Sequence, residues 1–283
     1  MRAFWNAGER RLRTLWRLLL QAALMAVLAA LPIFIVAEPL TALHRRGLVL
    51  PSFGHDDYDR VVNMIVGPLL VAAVVGSVAI AGRWLDHRPW GEFRAQLDTA
   101  GWAGLGLGFG VSALVMILIF AVEQLAGWVT VIGTAVKNAA VLSLGLGFGY
   151  SLVKAVCVGI YEEFLSRAYH LRNLTDGLGL PGALVGSSAV FALLHLTNEN
   201  ASVLSTLGLF VNALFFASAV LATGRLTTAI GAHMGWNLCE GAVLGFAVSG
   251  DKEPVSLIGQ LQAVPQRWTG GAFGPEAVVL GIL

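Results

Sequence analysis

The chain has 283 residues, 57% of them hydrophobic and only 12% charged, with a formal net charge of +1 and a mean hydropathy of +0.75. Soluble domains carry about 25% charged residues, so the composition excludes an ordinary water-soluble domain and implies a polytopic membrane protein. A charge balance near zero, with no basic stretch interleaved with aromatics, gives no basis for nucleic-acid binding.

Apolar runs able to cross ~30 Å of hydrocarbon, about 20 residues each, are predicted near 18–37, 61–82, 102–122, 138–172, 182–197, 202–223 and 226–249. Arginines precede the first run, and Ile35-Val36-Ala37 could serve as a cleavage site. Its apolar core exceeds the 7–15 residues of a signal peptide, so it is read as an uncleaved first helix. The stretch 39–60, with Pro39, Pro51 and Asp56, Asp57 and Asp59, is predicted to be a solvated outer connector, and a metal site at His55 is the weaker reading. Residues 83–100 mix charges with Trp84, Leu85, Trp90, Phe93 and Leu97, which predicts an interfacial segment.

Leu-Gly-Leu-Gly-Phe-Gly occurs at 105–110 and again at 144–149. No soluble strand flanks either copy, as a dinucleotide loop would need. Glycines four apart, Gly106/Gly110 and Gly145/Gly149, are instead predicted to make smooth faces for helix packing. Cys157 and Cys239 fall inside spans and read as small core residues rather than a disulfide. After Ser249 the chain turns polar, and its last apolar run of about eight residues is too short to span. Either a further helix follows or this tail dips into the interface.

Three spans carry ionisable groups, which in a bilayer mark function by default. The first has Glu162, Glu163 and Arg167; the second Phe191 and His195; the third His233 and Asn237. At about 100° per residue, Glu163 and Arg167 share a helix face and are expected to pair, leaving Glu162 unpaired and available as a base. Phe191 is one turn before His195 and can pack beneath its ring, and Tyr161 and Trp236 can wall the cavity or hydrogen-bond. Lys154 and Glu240 are expected to pair with each other between helices. Alone, an intramembrane histidine is often a helix-to-helix donor and a Glu–Arg pair can be structural; three such motifs together favour a reaction site. Neither His-Glu-x-x-His nor Gly-x-Ser-x-Gly occurs.

The order Glu-Glu-x-x-x-Arg, Phe-x-x-x-His and His-x-x-x-Asn resembles the CAAX-processing and bacteriocin-processing (CPBP) intramembrane proteases, which include the type II CAAX prenyl endopeptidases. The likeness spans about 83–276, including the Gly270-Gly-Ala-Phe-Gly-Pro-Glu276 stretch. It implies that Glu162 activates a water with His195, that His233 and Asn237 stabilise the oxyanion, and that Glu163 and Arg167 support the helix and the cavity charge. No cofactor is favoured. If the reaction is zinc-dependent, Glu162, His195 and His233 are the ligands. The implied partners are the bilayer and a membrane-associated peptide or protein substrate.

The sequence thus predicts an all-α polytopic bundle of about seven to eight helices with one interfacial helix. Residues 1–60 form an N-terminal helix and outer loop, and 61–283 a protease core with its motifs inside 154–240. The alternatives are a catalytically silent, partner-binding relative and a proton-coupled transporter. One side of the membrane collects Arg2, Arg10, Arg11, Arg13, Arg17, Arg83, Arg88, Arg94, Arg167, Arg172 and Arg225, against Arg45, Arg46, Arg60, Lys137, Lys252 and Arg267 on the other. The positive-inside bias then predicts an integral protein of the cell (inner) membrane with a cytoplasmic N-terminus, and the protease reading expects cleavage near the cytoplasmic half.

Overall fold

The computed structural model describes residues 4–50, 52–134, 141–264 and 266–277. Arg2, Pro51, Lys137 and most of the final apolar run lie outside the described residues. The architecture is the predicted all-α bundle, and five helical stretches are long and apolar enough to cross a membrane. In hydrocarbon the backbone must satisfy its own donors and acceptors, and a continuous helix does so within one segment.

Helix α1 runs Thr14–Arg45 as one stretch, with Pro32 followed by a π turn at Ile33–Ala37. Helix α2, His55–Trp84, follows after a short loop, so most of the connector expected at 39–60 is helical. The cause is burial: Val36, Ala37 and Leu40 pack on Tyr58, Val62 and Val66, and His44 stacks on Tyr58 with ring centroids 3.8 Å apart. Asp56 and Asp57 occupy the first turn of α2, where the helix dipole favours acids. Asp57 accepts from Arg60 at 2.6 Å and Ser143 at 3.0 Å, both part-buried, whereas His55, 78% exposed, stands beside Asp59 as a solvated pair.

Where one interfacial helix is expected, residues 85–98 form a loop with a single 3-10 turn, Trp90–Phe93. Pro89 precedes this turn and Arg94 (φ 55°) closes it in the left-handed region, which stops it from extending. Phe93 is buried against Val78, Ala81 and Phe164. Asp98 then caps α3, Thr99–Leu125, accepting the Gly101 N–H at 2.7 Å.

Helix α4, Val141–Glu163, continues through a π turn, Phe164–His170, into α5, Leu171–Leu194. The break inside α5 is at Gly179 (φ 68°, ψ 171°), a conformation glycine adopts without steric cost, and Pro181 starts the second half. A Ser202/Ser205 capping box opens α6, Val203–Thr223. Helix α7, Leu226–Leu238, ends in a second π turn, Cys239–Val243.

Glycines do set the closest helix approach, but not the predicted ones. Gly106, Gly110 and Gly145 have open space where a Cβ would go, and Gly149 makes only an ordinary contact. The α3–α7 crossing instead uses Gly104 and Gly108 against Gly231 and Gly235. A Cβ would stand 2.0 Å from Thr228 O at Gly108, 2.0 Å from Leu105 O at Gly231 and 2.4 Å from Phe109 O at Gly235. The spacing of four holds, offset by two residues, and it seats the helix carrying His233.

The bundle has two differently built ends. At the N-terminal end, Asp176 accepts from Arg11 (3.0 Å), Arg17 (3.1 Å) and Arg88 (2.7 Å), Asp86 pairs with Arg17 at 2.6 Å, and Asp98 with Arg225 at 2.8 Å. At the opposite end, strand Val129–Gly133 pairs antiparallel with Gly259–Gln262, and Asn198 Nδ2 donates to Ser249 O at 2.8 Å.

Candidate active site

The two adjacent glutamates end α4 immediately before its π turn, a local widening common at functional sites. Glu163 is fully buried, and its Oε1 accepts from Arg167 Nη1 and from His233 Nδ1, each at 2.9 Å. Arg167 also donates to Ala213 O at 2.7 Å and lies over the Phe191 ring at 4.8 Å. Glu163 is therefore more than an ion-pair partner: it joins the first motif to the third.

Glu162 faces the other way. Its Oε2 is 3.8 Å from His195 Nε2 and 3.8 Å from His233 Nε2, and it is buried without a hydrogen-bond partner among the described residues. His195 Nδ1 donates to Phe191 O at 2.8 Å, and Phe191 packs on its ring at 4.7 Å. His233 stacks on Phe216 at 4.7 Å. Since both Nδ1 atoms face acceptors, both rings turn Nε2 toward Glu162.

These groups line a cavity of about 610 Å³ that also takes in Tyr161, Asn212, Asn237 and Glu276. All three motifs meet there, with Arg167 beneath the lining. Trp236 does not wall the cavity; it packs in the core against Phe215 and Phe216. Lys154 does not pair with Glu240. It donates to Asp251 at 2.5 Å and to Glu253 at 2.8 Å, where Ser151 also hydrogen-bonds Glu253. Glu240 is instead fully buried in the π turn after α7.

Glu276 is the site residue that motif spacing did not single out. Its carboxylate accepts the Ser249 N–H at 2.7 Å and the Ser249 hydroxyl at 3.0 Å. Burial pushes this carboxyl above the ordinary range, to about 7, although the Ser249 hydrogen bonds favour its ionised form. Its only sequence marker is the Gly-rich stretch before it: Gly270, Gly271 and Gly274 all have positive φ, and a Cβ at Gly274 would stand 2.2 Å from Ala247 O.

Two imidazoles and a carboxylate are a donor set that zinc accepts, but ligands at 2.0–2.2 Å in a tetrahedron stand about 3.4 Å apart. The 3.8 Å separations are wider, and no group of three His, Cys, Asp or Glu side chains among the described residues is arranged to hold a metal.

Residues 144–239 match the family model described as type II CAAX prenyl endopeptidase Rce1-like. No curated protein and no solved structure gives a match. The matched segment contains Glu162, Glu163, Arg167, Phe191, His195, His233 and Asn237 and omits Glu276. Residues 144–239, which carry the three converging motifs, are similar to the Rce1-like type II CAAX prenyl endopeptidase family.

Proposed function

We propose that the chain is an intramembrane endopeptidase that hydrolyses peptide bonds of membrane-associated substrates with a water activated by Glu162. The observation that carries this reading is the convergence of one unpartnered carboxylate oxygen and two imidazole Nε2 atoms on a single cavity. With its Nδ1–H committed to Phe191 O, His195 offers the Nε2 lone pair to one proton of the water, and Glu162 removes the other. Water oxygen then bonds to the scissile carbonyl carbon. The resulting oxyanion takes hydrogen bonds from Asn237 Nδ2 and from His233 Nε2–H. Glu163 holds that ring in place through Nδ1. Glu162 passes its proton to the leaving nitrogen, the C–N bond breaks, and an acid and an amine are released.

Loss of one oxyanion donor typically costs about 10²–10³ in rate, so Asn237→Ala is expected to cleave in that range below wild type. No step is assigned to a metal. The test is proteomics of membrane peptides from cells carrying wild type or Glu162→Ala. Peptide termini that depend on Glu162 support the reading, and identical peptide sets contradict it.

A further inference from the structure

The cavity and the arginine-rich loops lie at opposite ends of the bundle. The loop residues lining the cavity are Thr197–Glu199, after α5, and Ser249–Asp251, after α7, joined to each other by Asn198 and Ser249. Residues 85–98 and 223–225 contribute none of the lining; Asp98–Arg225 and Arg94–Gly224 O, at 3.3 Å, tie them to each other at the N-terminal end. His233 stands seven residues beyond Leu226, about 10 Å of helix rise, so the reactive groups are recessed from that end and approached from the other.

Among the described residues, the loops and helix termini at the N-terminal end carry Arg10, Arg11, Arg13, Arg83, Arg88, Arg94, Arg172 and Arg225. The mouth end carries Arg45, Arg46, Arg60, Lys252 and Arg267, with Lys154 of α4 reaching Asp251 there. Loop lysines and arginines set orientation, whereas acidic residues contribute little, and the excess places the N-terminal end in the cytoplasm. We infer that the cavity opens on the face away from the cytoplasm, in place of the cytoplasmic-half cleavage expected from the sequence, and that its substrates are non-cytoplasmic segments of membrane-anchored or exported polypeptides rather than cytoplasmic chain ends. The substrate class rests on the protease reading; the orientation does not.

The experiment uses the full chain in sealed vesicles with the cytoplasmic face outward, treated with a membrane-impermeant maleimide. Gln96 and Lys252 are exposed at opposite ends, and the native Cys157 and Cys239 are buried, so the parent chain is the blank. Gln96→Cys is expected to label directly, and Lys252→Cys only after detergent opens the vesicles. The reverse pattern, or equal labelling of both, overturns the orientation. In a second measurement, Glu162-dependent cleavage sites are mapped against the topology of the cleaved proteins and are expected on non-cytoplasmic segments. Sites confined to cytoplasmic segments overturn the substrate class. No Glu162-dependent site at all, with labelling as expected, removes the protease reading and the substrate class with it, and leaves the orientation standing.

Discussion

Glu163 and His233, seventy residues apart, are joined by a 2.9 Å hydrogen bond from the imidazole Nδ1 to the carboxylate Oε1 that also receives Arg167. This bond makes the neighbouring glutamates unequal. Glu163→Gln leaves the Arg167 cation without its counter-charge and costs about 3–5 kcal/mol for a buried pair broken on one side. It also loosens His233, so both the melting temperature and the cleavage rate are expected to fall. Circular dichroism melts in detergent, run beside a cleavage assay, check this; an unchanged melt contradicts the paired geometry.

The α3–α7 crossing gives a second contrast. Gly108→Ala and Gly231→Ala each drive a methyl against a backbone carbonyl, whereas Gly106→Ala enters open space. Overpacking of this kind costs about 1–3 kcal/mol, so the first two variants are expected to melt earlier and to lose activity as His233 shifts. Gly106→Ala is expected to match wild type. Equal melts for all three contradict the register of the crossing.

Glu276 carries a pH dependence of stability. Its folded-state pKa is raised by burial to about 7, above the ordinary carboxyl value near 4.5. The folded protein therefore holds this proton more tightly than the unfolded chain, and the contribution is fully present below about pH 4.5 and lost as pH rises through about 7. Wild type is expected to melt earlier at pH 8 than at pH 5.5. Glu276→Gln, which keeps an acceptor for the Ser249 N–H, is expected to narrow that difference, and an undiminished difference assigns the dependence elsewhere.

On the metal question, the account predicts that purified, active protein holds substoichiometric zinc and keeps its activity after chelation. Elemental analysis and a chelator titration measure this. Stoichiometric zinc whose removal abolishes cleavage and whose return restores it would establish the alternative ligand set of Glu162, His195 and His233.

Much of this arrangement was legible before any coordinates, for local physical reasons. Glu163 and Arg167 pair because four residues make one helical turn, and Phe191 lies under His195 for the same reason. The Gly179 break between spans is visible as a lapse in apolar continuity before Pro181. Partners distant in the chain are a different matter. The Glu163–His233 bond, the Lys154 pairing with Asp251 and Glu253, and the place of Glu276 in the cavity depend on how helices and loops meet, which periodicity does not encode. The packing glycines were missed by two residues because composition marks α3 as glycine-rich without saying which face meets α7.

The central claim, that Glu162 is the base, is tested most directly by Glu162→Gln in purified protein, with cleavage and thermal unfolding measured on the same sample. The substitution preserves side-chain shape, removes the base and relieves a buried, unpartnered carboxylate oxygen. The account predicts abolished cleavage with an unchanged or raised melting temperature. Cleavage at the wild-type rate would contradict it and return the chain to the reading of a catalytically silent relative.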